Sequence, residues 1–347
     1  MKNRLAGRIL GFSVLACCVG LTACSNPASG PPATVAYAWR TNDPSFDGTV
    51  PETIGQYSTV SPQASSLVGT LTLPLSCTGG PIATASDGQL YVACFSPSSA
   101  PQVLVYPPDS TGPTTPSRTI DLASSAYEIS TLTVDASGNL YVGSLENTSV
   151  VEFTISIYSP EANGLASPLR TIQMATNSGL NDVAVDAVGN IYVDGYPNVD
   201  GFNTGDPVSF VDVYSYNPYV AKPIRTLNFP FYSYGVGVDA MGDVFVSAGV
   251  GNAGNVTALE EYAPGASGYP SPMNTITLPE QPAGMIVGGG PVRFDRAGNM
   301  FTAVYFFNLS TPMTYTLYSF GPPASPHASP VVEINPKDSY NTAFALN

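Results

Sequence analysis

A phrase of eight residues recurs along this chain of 347 residues. It reads aspartate, two variable residues, glycine, asparagine or aspartate, an apolar residue, tyrosine or phenylalanine, and valine, as in 186–193. Its copies stand 50, 51, 53 and 56 residues apart at their glycines, which are Gly88, Gly138, Gly189, Gly242 and Gly298. Self-similarity at such a period is typical of repeat architectures, and strand-rich units of this length favour the blades of a β-propeller.

Each repeat unit, which includes one copy of the phrase, contains four predicted strands. In one unit, 180–186 alternates valines with smaller or polar residues, and 191–193 is rich in β-branched and aromatic residues. The stretches 210–214 and 223–229 predict a third and a fourth strand. Four short strands joined by antiparallel turns make one blade.

The first two strands of a unit are joined by a turn that carries the repeated aspartate and glycine. Glycine supplies a positive φ, and the aspartate side chain accepts backbone N–H groups of the turn. We therefore expect these residues to shape turns on separate blades rather than to form a metal or catalytic site. They are Asp135, Gly138, Asp186, Gly189, Asp239, Gly242, Asp295 and Gly298.

Fragments at the two ends of the chain complete a sixth unit. The stretch 34–38 matches a second strand, 53–57 a third and 69–73 a fourth, whereas 341–347 matches a first strand. Joining them leaves no unpaired edge strand at the opening of the ring. The sequence therefore predicts an all-β, six-bladed β-propeller of four-stranded antiparallel blades, whose last blade is closed by N- and C-terminal strands.

The phrase D-x-x-G-N-Φ-[YF]-V, together with V-Y-x-P and S-P-x-R-T-I elements, resembles the NHL-type repeats of bacterial secreted propellers. The resemblance covers about residues 34–347. It implies a six-bladed ring with a binding role, and it names no ligand. Two units depart from the pattern, because the first shortens its turn to 86–88 and the last has Thr302 in place of valine.

The N-terminus has the parts of a bacterial lipoprotein signal. Lys2, Arg4 and Arg8 form a positive region. The apolar stretch 9–20 is too short to span a bilayer comfortably, and 21–24 then reads Leu-Thr-Ala-Cys. This resembles a lipobox, and the alternative is an ordinary secretory signal followed by a chance cysteine.

The lipobox resemblance implies cleavage before Cys24 and lipid on its thiol and new amino group. The residue after the cysteine is Ser25 and not aspartate. In such lipoproteins the lack of aspartate at this position implies sorting to the outer membrane. We therefore expect an outer-membrane lipoprotein that faces the periplasm or the surface. Its signal peptide is 1–23, its tether is 24–33, and its single propeller domain is 34–347.

The chain is acidic, with a formal net charge of −14 that becomes more negative once the basic signal is removed. An acidic surface repels nucleic acid and anionic lipid headgroups, so we expect neither as a partner. We expect a monomer that contacts the membrane only through its lipid anchor.

Two cysteines remain after the signal is cleaved and Cys24 is lipidated. Cys77 precedes the inner strand of the first complete unit, and Cys94 ends its second strand. Two thiols in an oxidising compartment favour a disulfide. Two free buried thiols are the alternative.

The mouth of the central channel, where inner strands begin, is where we expect polar site residues. The residues that stand five positions before the turn aspartate of each unit, or before the residue aligned with it, lie at this end, and they are Gly80, Ser130, Asn181, Tyr234, Gly290 and Thr342. Glu128, Asn181 and Asp182 form the one acid and amide cluster. Lactonase-like propellers hold a divalent ion at such a mouth, but a hard cation takes about six or more oxygens. We therefore expect no metal or cofactor, and a Ca²⁺-dependent lactonase or esterase is the alternative.

Other residues carry little sign of catalysis. His327 is the one histidine of the chain and lies in a Pro- and Ser-rich stretch, 322–330, without an evident nucleophile. The longer loop 196–206 has aromatic and amide residues that suit carbohydrate or peptide recognition. We therefore expect a lipid-anchored, non-enzymatic propeller that binds an envelope protein or a glycan.

Overall fold

The structure is a computed structural model, and its described residues are 35–40, 50–59, 67–96, 99–122, 126–146, 152–197, 208–249, 256–278, 286–308, 311–321, 332–334 and 344–346. All regular secondary structure in these ranges is β-strand. The signal peptide, Cys24, the tether and His327 lie outside them, as does most of the loop 196–206. Within the same ranges, no helix is long and apolar enough to cross a bilayer.

In chain order the strands are β1 (Val35–Arg40), β2 (Thr53–Ser58), β3 (Leu67–Thr72), β4 (Ile82–Thr84), β5 (Leu90–Ser96), β6 (Ser99–Tyr106), β7 (Arg118–Asp121), β8 (Ala126–Val134), β9 (Leu140–Glu146), β10 (Glu152–Tyr158), β11 (Gly164–Leu165), β12 (Arg170–Gln173), β13 (Gly179–Val185), β14 (Ile191–Tyr196), β15 (Ser209–Tyr214), β16 (Arg225–Phe229), β17 (Tyr232–Val238), β18 (Val244–Gly249), β19 (Val256–Tyr262), β20 (Asn274–Thr277), β21 (Ile286–Phe294), β22 (Met300–Asn308), β23 (Thr311–Phe320), β24 (Val332–Ile334) and β25 (Phe344–Leu346).

Apart from the two-residue β11, these strands form six four-stranded antiparallel blades. From the inner strand outward, blade 1 is β25-β1-β2-β3, blade 2 is β4 to β7, blade 3 is β8-β9-β10-β12, blade 4 is β13 to β16, blade 5 is β17 to β20, and blade 6 is β21 to β24. Inner strands contact one another in the order β25, β4, β8, β13, β17 and β21, and β21 contacts β25. The predicted six-bladed β-propeller is therefore confirmed.

Blade 1 is built from both ends of the chain, as predicted. Its β25–β1 pairs are Ala36 with Leu346, Tyr37 with Ala345, and Ala38 with Phe344. Phe344 and Ala345 are buried. Thr84 Oγ1 of blade 2 donates a hydrogen bond to the Leu346 carbonyl, so β25 also contacts the next blade. The structure describes 344–346 of the predicted strand 341–347.

The core lies between the blades. Buried apolar side chains of the described residues form clusters that are each shared by two neighbouring blades. Between blades 4 and 5, for example, Val213 and Leu227 pack with Val236 and Val246. Because every blade buries its faces against its neighbours, the stability of the ring depends on each interface.

Asp186 holds the turn between β13 and β14. Its Oδ1 accepts the backbone N–H groups of Val188 and Asn190 at 3.0 and 2.8 Å, and its Oδ2 accepts Asn190 Nδ2 at 2.8 Å. Gly189 has a φ of 89°, which favours glycine. The matching aspartates and positive-φ glycines of the other units are Asp135, Gly138, Asp239, Gly242, Asp295 and Gly298. They hold separate turns and do not meet at one site.

Blade 5 differs from blade 4 at this turn, because Asp243 stands where blade 4 has Asn190. An ionised carboxylate has no N–H to donate to Asp239. Burial raises the pKa of Asp243 to about 6, and the charges of Asp239 and Glu261 act in the same direction. Since an unfolded aspartate has a pKa of about 3.9, the fold loses stability as the pH rises between these two values.

We therefore expect Asp243→Asn to stabilise the protein at pH 8 and to change its stability little at pH 3.5. Urea unfolding of both chains at the two pH values measures this difference. The reverse change in blade 4, Asn190→Asp, is the matched control and should destabilise the fold at pH 8 more than at pH 3.5. Equal effects at both pH values would contradict a role for the Asp243 charge.

Two of the repeated arginines at the start of outer strands each join a blade to the next one. Arg170 of blade 3 donates from Nη1 to the Ser215 carbonyl at 2.8 Å and from Nη2 to the Val220 carbonyl at 3.0 Å, both in blade 4. Arg118 of blade 2 donates to the Ala162 carbonyl of blade 3 at 3.0 Å in the same way. The arginine of the S-P-x-R-T-I element is therefore structural.

Loops between third and fourth strands cover the outer strand of the preceding blade. Gly112 of blade 2 donates its N–H to the Thr70 carbonyl at 2.7 Å and accepts the Thr72 N–H at 2.8 Å. In the same way, β11 in the loop between the third and fourth strands of blade 3 pairs with β7, the outer strand of blade 2. These contacts protect edge strands from pairing with other chains.

The antiparallel blades give the ring two different faces. Turns between first and second strands, such as 186–190, and loops between third and fourth strands, such as 215–224, lie on one face, which we call the turn face. The inner strands begin on the opposite face, which we call the mouth face. The disulfide between Cys77 and Cys94, with a Cα–Cα distance of 4.9 Å, lies near the mouth face of blade 2.

Candidate functional site

A cavity of about 430 Å³ occupies the channel at the end where the inner strands begin. Residues from all six blades line it, with Phe344 contributed by blade 1. The aligned mouth positions that line the cavity are Gly80, Ser130, Asn181, Tyr234 and Gly290. Thr342, the sixth aligned position, lies outside the described residues. Alignment of the inner strands of the repeats thus pointed to the residues that line this cavity.

Asp182 and Arg293 form an ion pair across the channel. Arg293 Nη2 donates to Asp182 Oδ1 at 2.8 Å, and Arg293 Nη1 donates to Asp182 Oδ2 at 2.9 Å. The Asp182 side chain is 4 % exposed and that of Arg293 is 20 % exposed. A two-point contact between a planar guanidinium and a carboxylate is a strong and directional form of ion pair.

Further hydrogen bonds make Asp182 a junction of four blades. Thr131 Oγ1 of blade 3 donates to Asp182 Oδ1 at 3.0 Å, and the Val236 N–H of blade 5 donates to Oδ2 at 3.2 Å. Asp182 itself belongs to blade 4, and Arg293 comes from blade 6. Arg293 Nη1 also contacts the Val236 carbonyl at 3.3 Å. The carboxylate is therefore fully engaged in holding inner strands together.

The structure brings the three candidate metal ligands to one cavity, but their contacts do not suit a cation. Glu128 is exposed in the cavity wall. Asn181 Nδ2 donates to the Ser233 carbonyl at 3.0 Å, and both oxygens of Asp182 face the Arg293 guanidinium. That positive charge repels a divalent ion. In the part of the chain that the structure describes, no three His, Cys, Asp or Glu residues are grouped to hold a metal. The trio does not fit Ca²⁺.

Asp194 is a second carboxyl group behind the cavity, and it is fully buried. It lies opposite Asp182 in the β13–β14 pair and accepts a hydrogen bond from Ser233 Oγ. Burial raises the pKa of Asp194 well above its usual range; the Ser233 hydrogen bond opposes this shift, and the Asp182 charge adds to it. The fold therefore favours the neutral form of Asp194 beside the ionised pair.

The remaining cavity wall combines aromatic rings with hydrogen-bonding groups. Phe95, Phe153 and Tyr234 are partly exposed there, beside Glu128 and Ser130. Rings offer flat apolar surfaces, and carboxylate and hydroxyl oxygens accept hydrogen bonds from a ligand. A cavity with these two properties suits a ligand that has both apolar faces and hydroxyl groups.

Arg293 was not identified by sequence reasoning, although the repeat contains a signal for it. It stands two residues before its turn aspartate, where the other inner strands have small residues. Those residues are Ala83, Thr133, Ala184, Gly237 and Ala345. A single arginine at a repeated small-residue position of an inner strand indicates a contact within the channel.

Comparisons with known proteins support the fold and go no further. No protein-family model and no curated protein matches the chain. A solved structure of the COPII outer coat vertex on membranes aligns with 87% of this chain and 82% of its own, at 11% identity and a TM-score of 0.50. The major allergen Mala s 1 of Malassezia sympodialis aligns with 72% of this chain and 89% of its own, at 11% identity and a TM-score of 0.46.

Proposed function

We propose that this protein is a lipid-anchored, non-enzymatic binding module of the cell envelope, and that its ligand is a glycan or a glycan-bearing envelope protein. The observation that carries the proposal is the cavity of about 430 Å³ in which aromatic rings lie beside the exposed carboxylate of Glu128. Sugars present both an apolar face and a set of hydroxyl groups, and both match this wall.

The contacts of Asp182 and Arg293 support binding rather than chemistry. Asp182 and Arg293 neutralise each other and are held by neighbouring blades. A general base or nucleophile needs an atom that is available to the substrate. Glu128 is exposed and forms part of the wall, so it can accept hydrogen bonds from a ligand.

The place of the protein in the cell is proposed from the sequence. The lipobox-like 21–24 and Ser25 support an outer-membrane lipoprotein anchored at Cys24, and the repeats support an NHL-type member of the propeller class. The rigid ring then holds the binding cavity at a short distance from the membrane.

Titration calorimetry of the full lipidated chain in detergent micelles, with a panel of neutral and cell-wall oligosaccharides, tests the proposal. We expect one glycan class to bind, and we expect Phe153→Ala to weaken that binding about tenfold, which corresponds to about 1.4 kcal/mol. Tyr219→Ala on the turn face is the matched aromatic control and should not change the affinity. If no glycan and no pulled-down envelope protein binds in a way that Phe153→Ala weakens, the proposal is wrong.

A further inference from the structure

The turn face carries large apolar side chains that are exposed to solvent. Tyr219 is 93 % exposed, and Tyr216, Val188 and Met241 are each 67 % exposed. Tyr269 in the third loop of blade 5 is 66 % exposed. Single exposed apolar residues are common on proteins, but a group on one face marks an interaction surface.

These side chains project from neighbouring loops of the same face. Val188 and Met241 stand in the turns between first and second strands of blades 4 and 5. Tyr216 and Tyr219 are in the loop between β15 and β16, and the Tyr216 N–H donates to Asn190 Oδ1 at 3.3 Å, which ties this loop to the turn beside it. The group therefore spans two blades and has a fixed backbone frame.

The N-terminal segment reaches the fold on this same face. β1 is the second strand of blade 1, so its first residue, Val35, lies at the end where β25 finishes and the turns of the other blades are found. The segment from Cys24 to Val35 spans at most about 35–40 Å when fully extended, at 3.3–3.6 Å per residue. A lipid on Cys24 thus lets the turn face reach the membrane.

We propose that the turn face docks on the lipid surface that holds the anchor, in place of the expectation that the anchor is the only membrane contact. This inference rests on the proposed lipidation of Cys24. Tyrosine suits this position because its ring enters the apolar edge of a bilayer while its hydroxyl stays among the headgroups. Met241 and Val188 add apolar surface beside the rings. One lipid chain with a second membrane contact anchors a protein more firmly than one chain alone.

The charge of the protein selects the kind of lipid surface. The chain carries a formal net charge of −14, and the turn face contains the repeated aspartates. Their carboxylates accept backbone N–H groups of their own turns, as at Asp186 and Asp295. The exposed Lys222 and Arg296 on this face offset only part of the negative charge, and a protein with a net negative charge is repelled by anionic lipid. The docking surface is therefore a zwitterionic one, such as phosphatidylcholine in vitro.

Docking in this way points the channel cavity away from the membrane. The cavity lies where the inner strands begin, and the turn face lies where they end. A ligand then reaches the cavity from the aqueous side. The mouth face offers fewer large exposed apolar side chains in the part that the structure describes, where they are Val50, Leu75 and Tyr127.

A fluorescent label at single introduced cysteines tests the docking, since Cys24 is lipidated and Cys77 and Cys94 are paired. The full chain carries NBD at Tyr219→Cys or Met241→Cys, with Tyr127→Cys on the mouth face as the matched control. It is placed in phosphatidylcholine vesicles that contain lipids brominated near the headgroup. We expect a blue shift and quenching at the two turn-face sites and neither at the control.

Each outcome shows whether the turn face contacts the lipid surface. Equal emission at all sites in a chain that floats with the vesicles would overturn the docking but leave the anchor intact. A shift that disappears when the protein is diluted in lipid would assign the face to a second copy of the chain and also overturn the proposal. A chain that does not float, like a Cys24→Ala control, would overturn the anchor and the docking together.

Discussion

Removal of 341–347 is expected to unfold or aggregate the propeller, although it takes away only the last residues of the chain. The deletion removes β25, which is the inner strand of blade 1. Phe344 packs with Phe301 and Leu317 of blade 6, and Ala345 packs with side chains of blades 1 and 2. The loss therefore affects two blade interfaces and leaves β1 with an unpaired inner edge.

The expected loss is a large part of the total stability. Burial of a phenylalanine contributes about 1.5–3 kcal/mol, and replacement of a buried phenylalanine by alanine costs about 3–5 kcal/mol. Folded domains have only about 5–15 kcal/mol in total. Thermal unfolding of the chain ending at Tyr340 should show a sharply lower melting temperature or aggregation.

Two further chains make this test decisive. Phe344→Ala keeps β25 and should lose stability in the same direction, so a truncated chain that cannot be purified does not end the experiment. Deletion of 26–30 in the tether is the control, and it should leave the melting temperature unchanged. A truncated chain that melts within about one or two degrees of the full chain would show that the pairing of β25 with β1 does not stabilise the ring in solution.

Local turn chemistry explains why so much of the fold was predicted from the sequence. Asp186 and Gly189 act on atoms within four residues of the aspartate, so their spacing alone indicates the turn. Each copy of that turn places a first and a second strand. The shared blade followed from the same alignment, because 341–347 matched the one strand that the N-terminal fragment lacked.

Contacts between blades were harder to predict, because repeats show periodicity but not the partner of each side chain. Arg170 recurs as part of a strand element, yet the carbonyls that it binds belong to the loop of the next blade. The position of Asp182 near the channel mouth makes it a candidate metal ligand in the sequence, and the sequence does not show its partner, Arg293, which is 111 residues away. The location of the cavity was predictable from strand ends, whereas its electrostatics depended on this distant pair.

Substitution of Arg293 by alanine is expected to be the most damaging single change in the channel. Asp182 is 3 % exposed, and it would lose its two charge-assisted hydrogen bonds while remaining buried. Removing one partner of a buried ion pair costs about 3–5 kcal/mol, because the other charge is left uncompensated. Since Asp182 also joins blades 3 and 5, the loss should appear as a lower unfolding midpoint of the whole ring.

A comparison of variants separates the stability that the ion pair contributes from the effect of removing any arginine. Arg296→Ala removes an exposed arginine from the neighbouring turn and should change the free energy of unfolding by less than about 0.5 kcal/mol. The double change Arg293→Met with Asp182→Leu removes both charges together and should recover much of the loss. Urea unfolding of the four chains gives these differences directly. If Arg293→Ala costs no more than Arg296→Ala, the carboxylate of Asp182 is solvated by channel water, and the four blades are not held together through this ion pair.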